Sequence, residues 1–182
     1  MLLIILGVLA VILIVLAMIY NGLVQLRVRS ESAWSDIDVQ LKRRHDLIPN
    51  LVETVKGYAA HEKGTFENIA KYRSAAMSAT SAPDRAQAEG QLTQALRGLL
   101  AVAENYPQLQ ASDQFKNLQQ QLSSLEDDIQ NSRRYYNAVV RDLNTKIASF
   151  PTNILAGMFG FTPKQFFETP AAERENVQVK FT

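Results

Sequence analysis

Residues 113–150 decide the fold class of this chain; they read DQFKNLQQQLSSLEDDIQNSRRYYNAVVRDLNTKIASF. One row of apolar side chains recurs every seven residues along the whole stretch: Phe115, Leu122, Ile129, Tyr136, Leu143 and Phe150. A strict seven-residue repeat predicts a long helix that packs against other helices with a left-handed twist, as in a coiled coil. We expect Ser112 and Asp113 to cap the start of this helix and Pro151 to end it.

A second long helix is predicted from Leu23 onward, because apolar residues recur there at steps of three and four. Pro49 lacks a backbone donor and should kink or interrupt this helix near residues 45–49. Two rows at seven-residue spacing define its inner face: Trp34, Leu41, Ile48 and Val55 in one, and Ile37, Arg44, Leu51 and Tyr58 in the other.

Two shorter helices are predicted between the long ones. Residues 64–65, a Gly-Thr pair, look like a stop followed by a cap, and the next helix runs to about Thr80. The chain restarts at Pro83-Asp84, where Asp84 and Gln87 have the spacing of a capping box, and this helix ends near residues 106–107.

No segment of the sequence alternates like a strand between turn signals. We therefore expect an all-α protein. Its N-terminal single transmembrane helix continues into an elongated antiparallel bundle of the up-down-up-down type, with two long and two short helices.

The N-terminal segment is predicted to be a membrane anchor. Residues 2–20 are apolar throughout and, at 1.5 Å per residue, match the hydrocarbon thickness of about 30 Å. The run is too long for a signal peptide and lacks its basic start and cleavage site. The first charged residues, Arg27 and Arg29, follow the span. Basic residues favour the cytoplasmic side, so we expect the N-terminus outside and the domain inside, with the helix in the inner (cytoplasmic) membrane of the cell.

The predicted division of the chain is an anchor at 1–26, a helical bundle at 27–167 and a loosely structured tail at 168–182. If the first helix leaves the membrane, the last long helix returns to it and brings the segment after residue 150 close to the bilayer. That segment either caps the open end of the core, or docks on the membrane interface, or docks on a neighbouring subunit. Its aromatic candidates are Phe159, Phe161, Phe166 and Phe167.

Composition argues against several kinds of chemistry. The net charge of +1 gives no field that would attract nucleic acid. The chain has no Cys and two His, so thiolate zinc sites and Cys nucleophiles are excluded and a transition-metal site is not expected. Phosphate-binding glycine loops and serine elbows are absent from the sequence. We expect no enzyme activity, no cofactor, no metal and no small-molecule substrate.

Arg44 is the charged residue most in need of a partner. It shares the inner row with Ile37 and Leu51, whereas its neighbours Lys42, Arg43 and His45 are expected on a solvated face. A buried guanidinium requires a carboxylate or several carbonyl partners. The last long helix offers four candidates that the sequence does not rank: Glu126, Asp127, Asp128 and Asp142.

A second polar cluster lies in the C-terminal half of the last long helix. Because Tyr136 belongs to the apolar row, its neighbours Arg133, Arg134 and Asn137 lie at the edge of the core. They form either a network that fixes one helix against another or a protein-binding face, since Arg and Tyr are favoured at interfaces.

Four stretches resemble the bacterial LemA family: residues 21–24, the stretch AWSDIDVQLKRRHDLIPNLVETVKGYAAHE at 33–62, RRYYNAVVRDLNTKIASFPTNILAGMFGF at 133–161, and Val-Lys-Phe at 179–181. The resemblance implies an N-terminal transmembrane helix followed by an antiparallel helical bundle. It implies no enzyme, since the family has no assigned activity, and it links the chain to envelope biology and, in some lineages, to organelle-like membrane structures.

Two functional hypotheses follow. The first is a membrane-anchored scaffold that binds the lipid bilayer and self-associates into a homo-oligomer, or recruits a partner, without chemistry of its own. The second is an accessory or regulatory subunit of a membrane protease or transporter. The interaction candidates are Arg44, Pro49, Arg133, Arg134, Tyr136, Asn137, Phe159, Phe161, Phe166 and Phe167.

Overall fold

A computed structural model describes residues 1–168, and the rest of the predicted tail, from residue 169 on, lies outside the described residues. The all-α prediction is confirmed, because residues 1–168 contain helices and no strand. The two long and two short helices that were expected are present, and two further helices, of five and seven residues, were not predicted. In chain order they are α1 (Leu2–Lys56), α2 (Lys63–Ser78), α3 (Ala82–Ala103), α4 (Pro107–Ala111), α5 (Asp113–Ala148) and α6 (Thr152–Met158).

Helix α1 joins the apolar segment to the amphipathic one without a break. It runs from Leu2 to Lys56, which agrees with the prediction that the apolar helix continues into the bundle. Its first part is long and apolar enough to cross a membrane, and none of that apolar window is buried against the protein. Exposure of apolar side chains to water is unfavourable. The apolar part of α1 is therefore a surface that a bilayer would cover.

Of the two effects expected of Pro49, the interruption of α1 is wrong, because the helix continues to Lys56. Proline cannot donate to the carbonyl four residues earlier, which here belongs to His45. That carbonyl instead accepts a hydrogen bond of 2.9 Å from Nε of Arg73, on α2. A donor from a neighbouring helix thus replaces the missing backbone donor, and Pro49 itself is exposed to solvent.

The predicted start of α2 is also wrong. Helix α1 ends at Lys56, and a tight turn closes it with Tyr58 N donating to Val55 O at 3.0 Å. This turn takes Tyr58 off the inner row and leaves it 44% exposed. Gly64 lies inside the first turn of α2, which begins at Lys63, so it is no stop signal.

The caps of α3 and α5 differ in how well they were predicted. Ser81, three residues before the expected cap, accepts from Asp84 N at 3.2 Å and donates to the Asp84 carboxylate at 2.6 Å. The capping box of α3 is therefore 81–84, and the expected pair of Asp84 and Gln87 is wrong. At α5 the prediction is confirmed, since the Ser112 hydroxyl accepts from Phe115 N at 3.5 Å.

The chain divides into two compact units, and α1 and α5 contribute to both. The first unit contains Met1–Val39 and Gln130–Gln165. Here α1 and α5 are antiparallel: the Trp34 and Tyr136 rings lie 5.3 Å apart, while the Lys146 ammonium lies 3.6 Å from where a Cβ on Gly22 would be. The buried cluster at one end of this pair consists of Leu23, Leu143, Ala156 and Phe161.

The second unit contains Gln40–Ile129 and, at the end of the described chain, residues 166–168. Its core is formed by the later turns of α1, by α2, α3 and α4, and by the first half of α5. Leu51, Leu92 and Leu99 are fully buried in this core, and the short α4 adds Leu109. Burial of such residues stabilises the unit by about 1.5–3 kcal/mol for each side chain.

Candidate functional site

Four side chains from three helices of the second unit form a buried ion cluster: Arg44 and His45 of α1, Glu89 of α3 and Glu126 of α5. Nη2 of Arg44 binds the Glu89 carboxylate, and Nη1 binds that of Glu126. Nη1 also donates to Thr93 Oγ1 at 3.0 Å. The Arg44 side chain is 1% exposed, so it holds helices together and offers no surface to a ligand.

Sequence reasoning identified part of this cluster. Among the four carboxylates considered for Arg44, the structure brings Glu126 to it. Glu89 was missed, although it stands three and seven residues before Leu92 and Leu96 and therefore lies in the apolar row of α3. An acidic residue at such a core position was the signal that could have found it.

The predicted exposure of His45 is wrong as well. It was expected on a solvated face with Lys42 and Arg43, which are indeed exposed, but its side chain is buried. Its position three residues before Ile48 and four after Leu41 places it in the apolar stripe. His45 Nε2 lies 2.9 Å from Oε1 of Glu89, the carboxylate that also binds Arg44.

The charge state of Glu89 follows from its neighbours. Burial by itself raises the pKa of Glu89. The close approach of His45 and the charge of Arg44 lower the pKa by more than burial raises it, so the pKa lies below its ordinary value of 4.5. Glu89 is therefore ionised at neutral pH and balances the Arg44 charge. Removing one member would leave a buried charge without its partner, which is strongly unfavourable.

The first unit contains a polar network around Tyr136. The Tyr136 hydroxyl donates to Gln165 O at 2.9 Å, and burial raises the pKa of Tyr136. The Asn144 amide forms two hydrogen bonds of 2.9 Å with the backbone N and O of Lys164. These contacts fasten the extended segment after α6 to α5, and Lys164 Nζ also lies 3.4 Å from Glu31 of α1.

The other predicted residues of this region divide between core edge and surface. Arg133 and Asn137 are half-buried near Tyr136, whereas Arg134 is exposed and donates to Asn131 on its own helix. Tyr135 is exposed as well. The network that joins α5 to the segment after α6 uses Tyr136 and Asn144, so the structure does not bring Arg134 into it.

Residues 150–161 separate into a buried and an exposed set. Leu155, Ala156 and Phe161 are buried, and the Phe161 ring lies 5.9 Å from that of Tyr20, with Arg27 above it at 5.7 Å. Further along the chain, Phe166 is half-buried and Phe167 buried. The exposed set, which we call the apolar surface, consists of Phe150 (80% exposed), Ile154 (55%), Met158 (73%) and Phe159 (56%).

Comparison with known proteins identifies the family. The model of the LemA family matches residues 33–181. The chain belongs to the LemA family. The match includes every member of the buried ion cluster, the Tyr136 network and the apolar surface, whereas the apolar residues 2–20 precede it.

The relatives to which this chain is similar carry two kinds of name. Magnetosome protein MamQ 2 of Paramagnetospirillum magneticum is 29% identical over 185 residues, which covers 87% of this chain and 68% of the relative. Magnetosome protein MamQ of Magnetospirillum gryphiswaldense is 28% identical with the same coverage. Protein LemA of Metamycoplasma hominis is 28% identical over 149 residues, covering 81% of this chain and 68% of the relative.

The described residues of this LemA-family chain include an exposed apolar helix segment and an exposed apolar surface. Residues 1–168 hold no group of three or more His, Asp or Glu side chains placed to bind a metal ion. The apolar part of α1 indicates association with a membrane. The apolar surface and the exposed face of α5 are both accessible to solvent.

Proposed function

We propose that this LemA-family chain is a membrane-anchored helical scaffold that self-associates, or recruits a partner, at the bacterial envelope and has no chemistry of its own. The observation that carries the proposal is α1, a single helix of 55 residues whose apolar part is exposed and whose later turns build the core of the domain. Anchor and bundle therefore share one helix.

The buried ion cluster supports this proposal. A scaffold must keep its helices in a fixed arrangement. Arg44 of α1 forms ion pairs with Glu89 of α3 and Glu126 of α5. If one helix shifted along another, these pairs would break and leave a buried charge without a partner, which is strongly unfavourable. The relatives named as magnetosome proteins agree with a role at a membrane structure.

Self-association is tested by the mass of the full chain in mild detergent and in lipid nanodiscs over a wide range of concentration. The proposal expects particles of defined multiples of the chain mass that persist on dilution. A strictly monomeric particle throughout would count against self-assembly.

Partner identity is tested in the native membrane. Lysine crosslinking followed by mass spectrometry should return mainly crosslinks between copies of this chain if it is a homo-oligomeric scaffold. Reproducible crosslinks to one membrane protease or transporter, with few between copies, would instead favour the accessory-subunit hypothesis.

The proposed orientation has the N-terminus outside and the domain in the cytoplasm. Because the chain has no Cys, single-cysteine variants report topology without background labelling. A membrane-impermeant maleimide added to intact cells should label Leu2→Cys and should label Gln119→Cys, on the exposed side of α5, only after the membrane is opened. The reverse pattern would overturn the orientation and leave the anchor intact.

A further inference from the structure

The apolar surface is unusual because four large apolar side chains, close together in the sequence, are each more than half exposed to solvent. Phe150 precedes α6, Ile154 and Met158 lie one turn apart on it, and Phe159 follows it. Single exposed apolar residues are common on proteins, but a contiguous group of this kind marks a surface that contacts something else.

The position of this surface points to lipid. Tyr20 ends the apolar run of α1, and its ring contacts the Phe159 ring at a centroid distance of 4.9 Å. Nineteen residues of helix from Leu2 to Tyr20 cover about 28 Å, close to one hydrocarbon thickness. Phe159 therefore lies at the level where α1 would leave the bilayer, and the exposed surface of the anchor continues into the apolar surface.

The distribution of charged residues around α6 agrees with a position of Phe159 at the surface of the bilayer. No charged residue occurs between Lys146 and Lys164, although charged residues make up 20% of the chain. Lys146 lies beside Gly22, just past the end of the apolar run, and Arg27 lies above the Phe161 ring. Aromatic and basic side chains at one level of a helix bundle are typical of the membrane interface, where rings sit among head groups and cations bind phosphate.

We propose that the apolar surface is embedded in the interface of the same bilayer that α1 enters, so that the chain contacts the membrane at two places. This inference rests on the proposed anchor. A helix of seven residues is only about 10 Å long, so α6 lies in the head-group region and does not span the membrane. The second contact fixes the tilt and rotation of α1, because Tyr20 and Phe159 pack together within one unit.

The test measures the depth of single labels in nanodiscs that hold the full chain. Met158→Cys, Leu13→Cys and Asn131→Cys are each labelled with an environment-sensitive fluorophore, and the lipid carries a nitroxide near the head group or in the middle of the acyl chain. Leu13 represents the anchor, whereas Asn131 is an exposed residue of α5 in the same unit, about 22 Å along the helix from Lys146.

The expected result is strong quenching of the Met158→Cys label by the head-group nitroxide, of the Leu13→Cys label by the mid-chain nitroxide, and of the Asn131→Cys label by neither. If only the Leu13→Cys label is quenched, the anchor stands and the second contact is wrong. If that label is not quenched either, the anchor and the inference fail together.

A second copy of the chain is the other occupant that the test distinguishes. It would shift the emission of the Met158→Cys label to the blue without nitroxide quenching, and the shift would disappear in discs that hold one chain each. That result would overturn the inference in favour of an oligomer contact.

A charge variant provides an independent check with a label placed at Phe150→Cys. The double variant Ile154→Asp/Met158→Asp should remove most head-group quenching of this label, because two carboxylates are repelled by lipid phosphate and are costly to place in the apolar part of the interface. The matched control is Met77→Asp, which adds a carboxylate at an exposed methionine of α2 in the second unit. Unchanged quenching in the double variant, with its helix content preserved by circular dichroism, would also overturn the inference.

Discussion

Arg73 of α2 donates its Nε–H to the main-chain oxygen of His45 in α1 at 2.9 Å, and this oxygen is the one that Pro49 leaves without a helical donor. A proline in the interior of a helix normally weakens it, because one carbonyl loses its partner. Here the side chain of another helix supplies that partner. The same hydrogen bond thereby fastens α2 to α1, so the loss within one helix becomes a tertiary contact.

The first prediction is that Arg73 and Pro49 are energetically coupled. Arg73→Ala should cost about 1.5 kcal/mol, the lower end for a hydrogen bond from a charged donor, because Arg73 is only half-buried. In a Pro49→Ala background the new amide reaches His45 O, and Arg73→Ala should cost clearly less. Urea unfolding of the full chain in mild detergent measures both values. Arg97→Ala, an exposed arginine of α3, is the control, and equal costs in the two backgrounds would disprove the coupling.

The second prediction concerns the centre of the buried ion cluster. Arg44→Ala should destabilise the protein by about 3–5 kcal/mol, since it leaves the Glu89 carboxylate buried without its arginine partner. The neighbouring exposed residue provides a matched control, and Arg43→Ala should change the free energy of unfolding by less than about 0.5 kcal/mol. Thermal melting of both variants in detergent compares them directly. A melting temperature for Arg44→Ala equal to that of the parent chain would contradict the structure of the cluster.

The third prediction is an acid-dependent loss of stability. The pKa of Glu89 in the folded protein is below the ordinary 4.5, so its charged form stabilises the fold above that pH. This contribution is lost as the pH falls below 4.5 and through the lowered value. Glu89→Gln lacks it, so the stability difference between parent and variant should be largest at neutral pH and shrink on acidification. Glu104→Gln, an exposed control, should differ little from the parent at any pH. A difference that does not vary with pH would show that Glu89 is not the titrating group.

The sequence predicts the parts of the fold that depend on long periodic patterns. Seven-residue spacing over 113–150 located α5, and the start at Ser112 was correct because a serine cap is recognised by local chemistry. Short helices carry too few residues for a period to be read. Helices α4 and α6 were missed because they are stabilised mainly by packing, of Leu109 and Leu155 respectively, rather than by their own propensity.

Features that arise from contacts between distant residues were predicted less well. Pro49 in isolation predicts a break, and only the position of Arg73 on another helix explains why α1 continues. Glu89 and His45 both lie in apolar rows, but the sequence does not say that these rows meet. Similarly, the apolar composition of 150–161 predicted burial or docking, whereas the structure divides it residue by residue between core and surface.

The last prediction concerns the attachment of the segment after α6. The side-chain amide of Asn144 pairs with the backbone of Lys164 as a strand neighbour would. It accepts a hydrogen bond from Lys164 N and donates one to Lys164 O, each at 2.9 Å. Asn144→Ala removes both bonds, and a local cost of about 1.4 kcal/mol would make amide exchange at Lys164 about tenfold faster. Hydrogen exchange with mass spectrometry on the full chain in nanodiscs measures this rate. Thr145→Ala, at the exposed adjacent position, should leave the rate unchanged, and a protected Lys164 amide in Asn144→Ala would show that other contacts hold the segment.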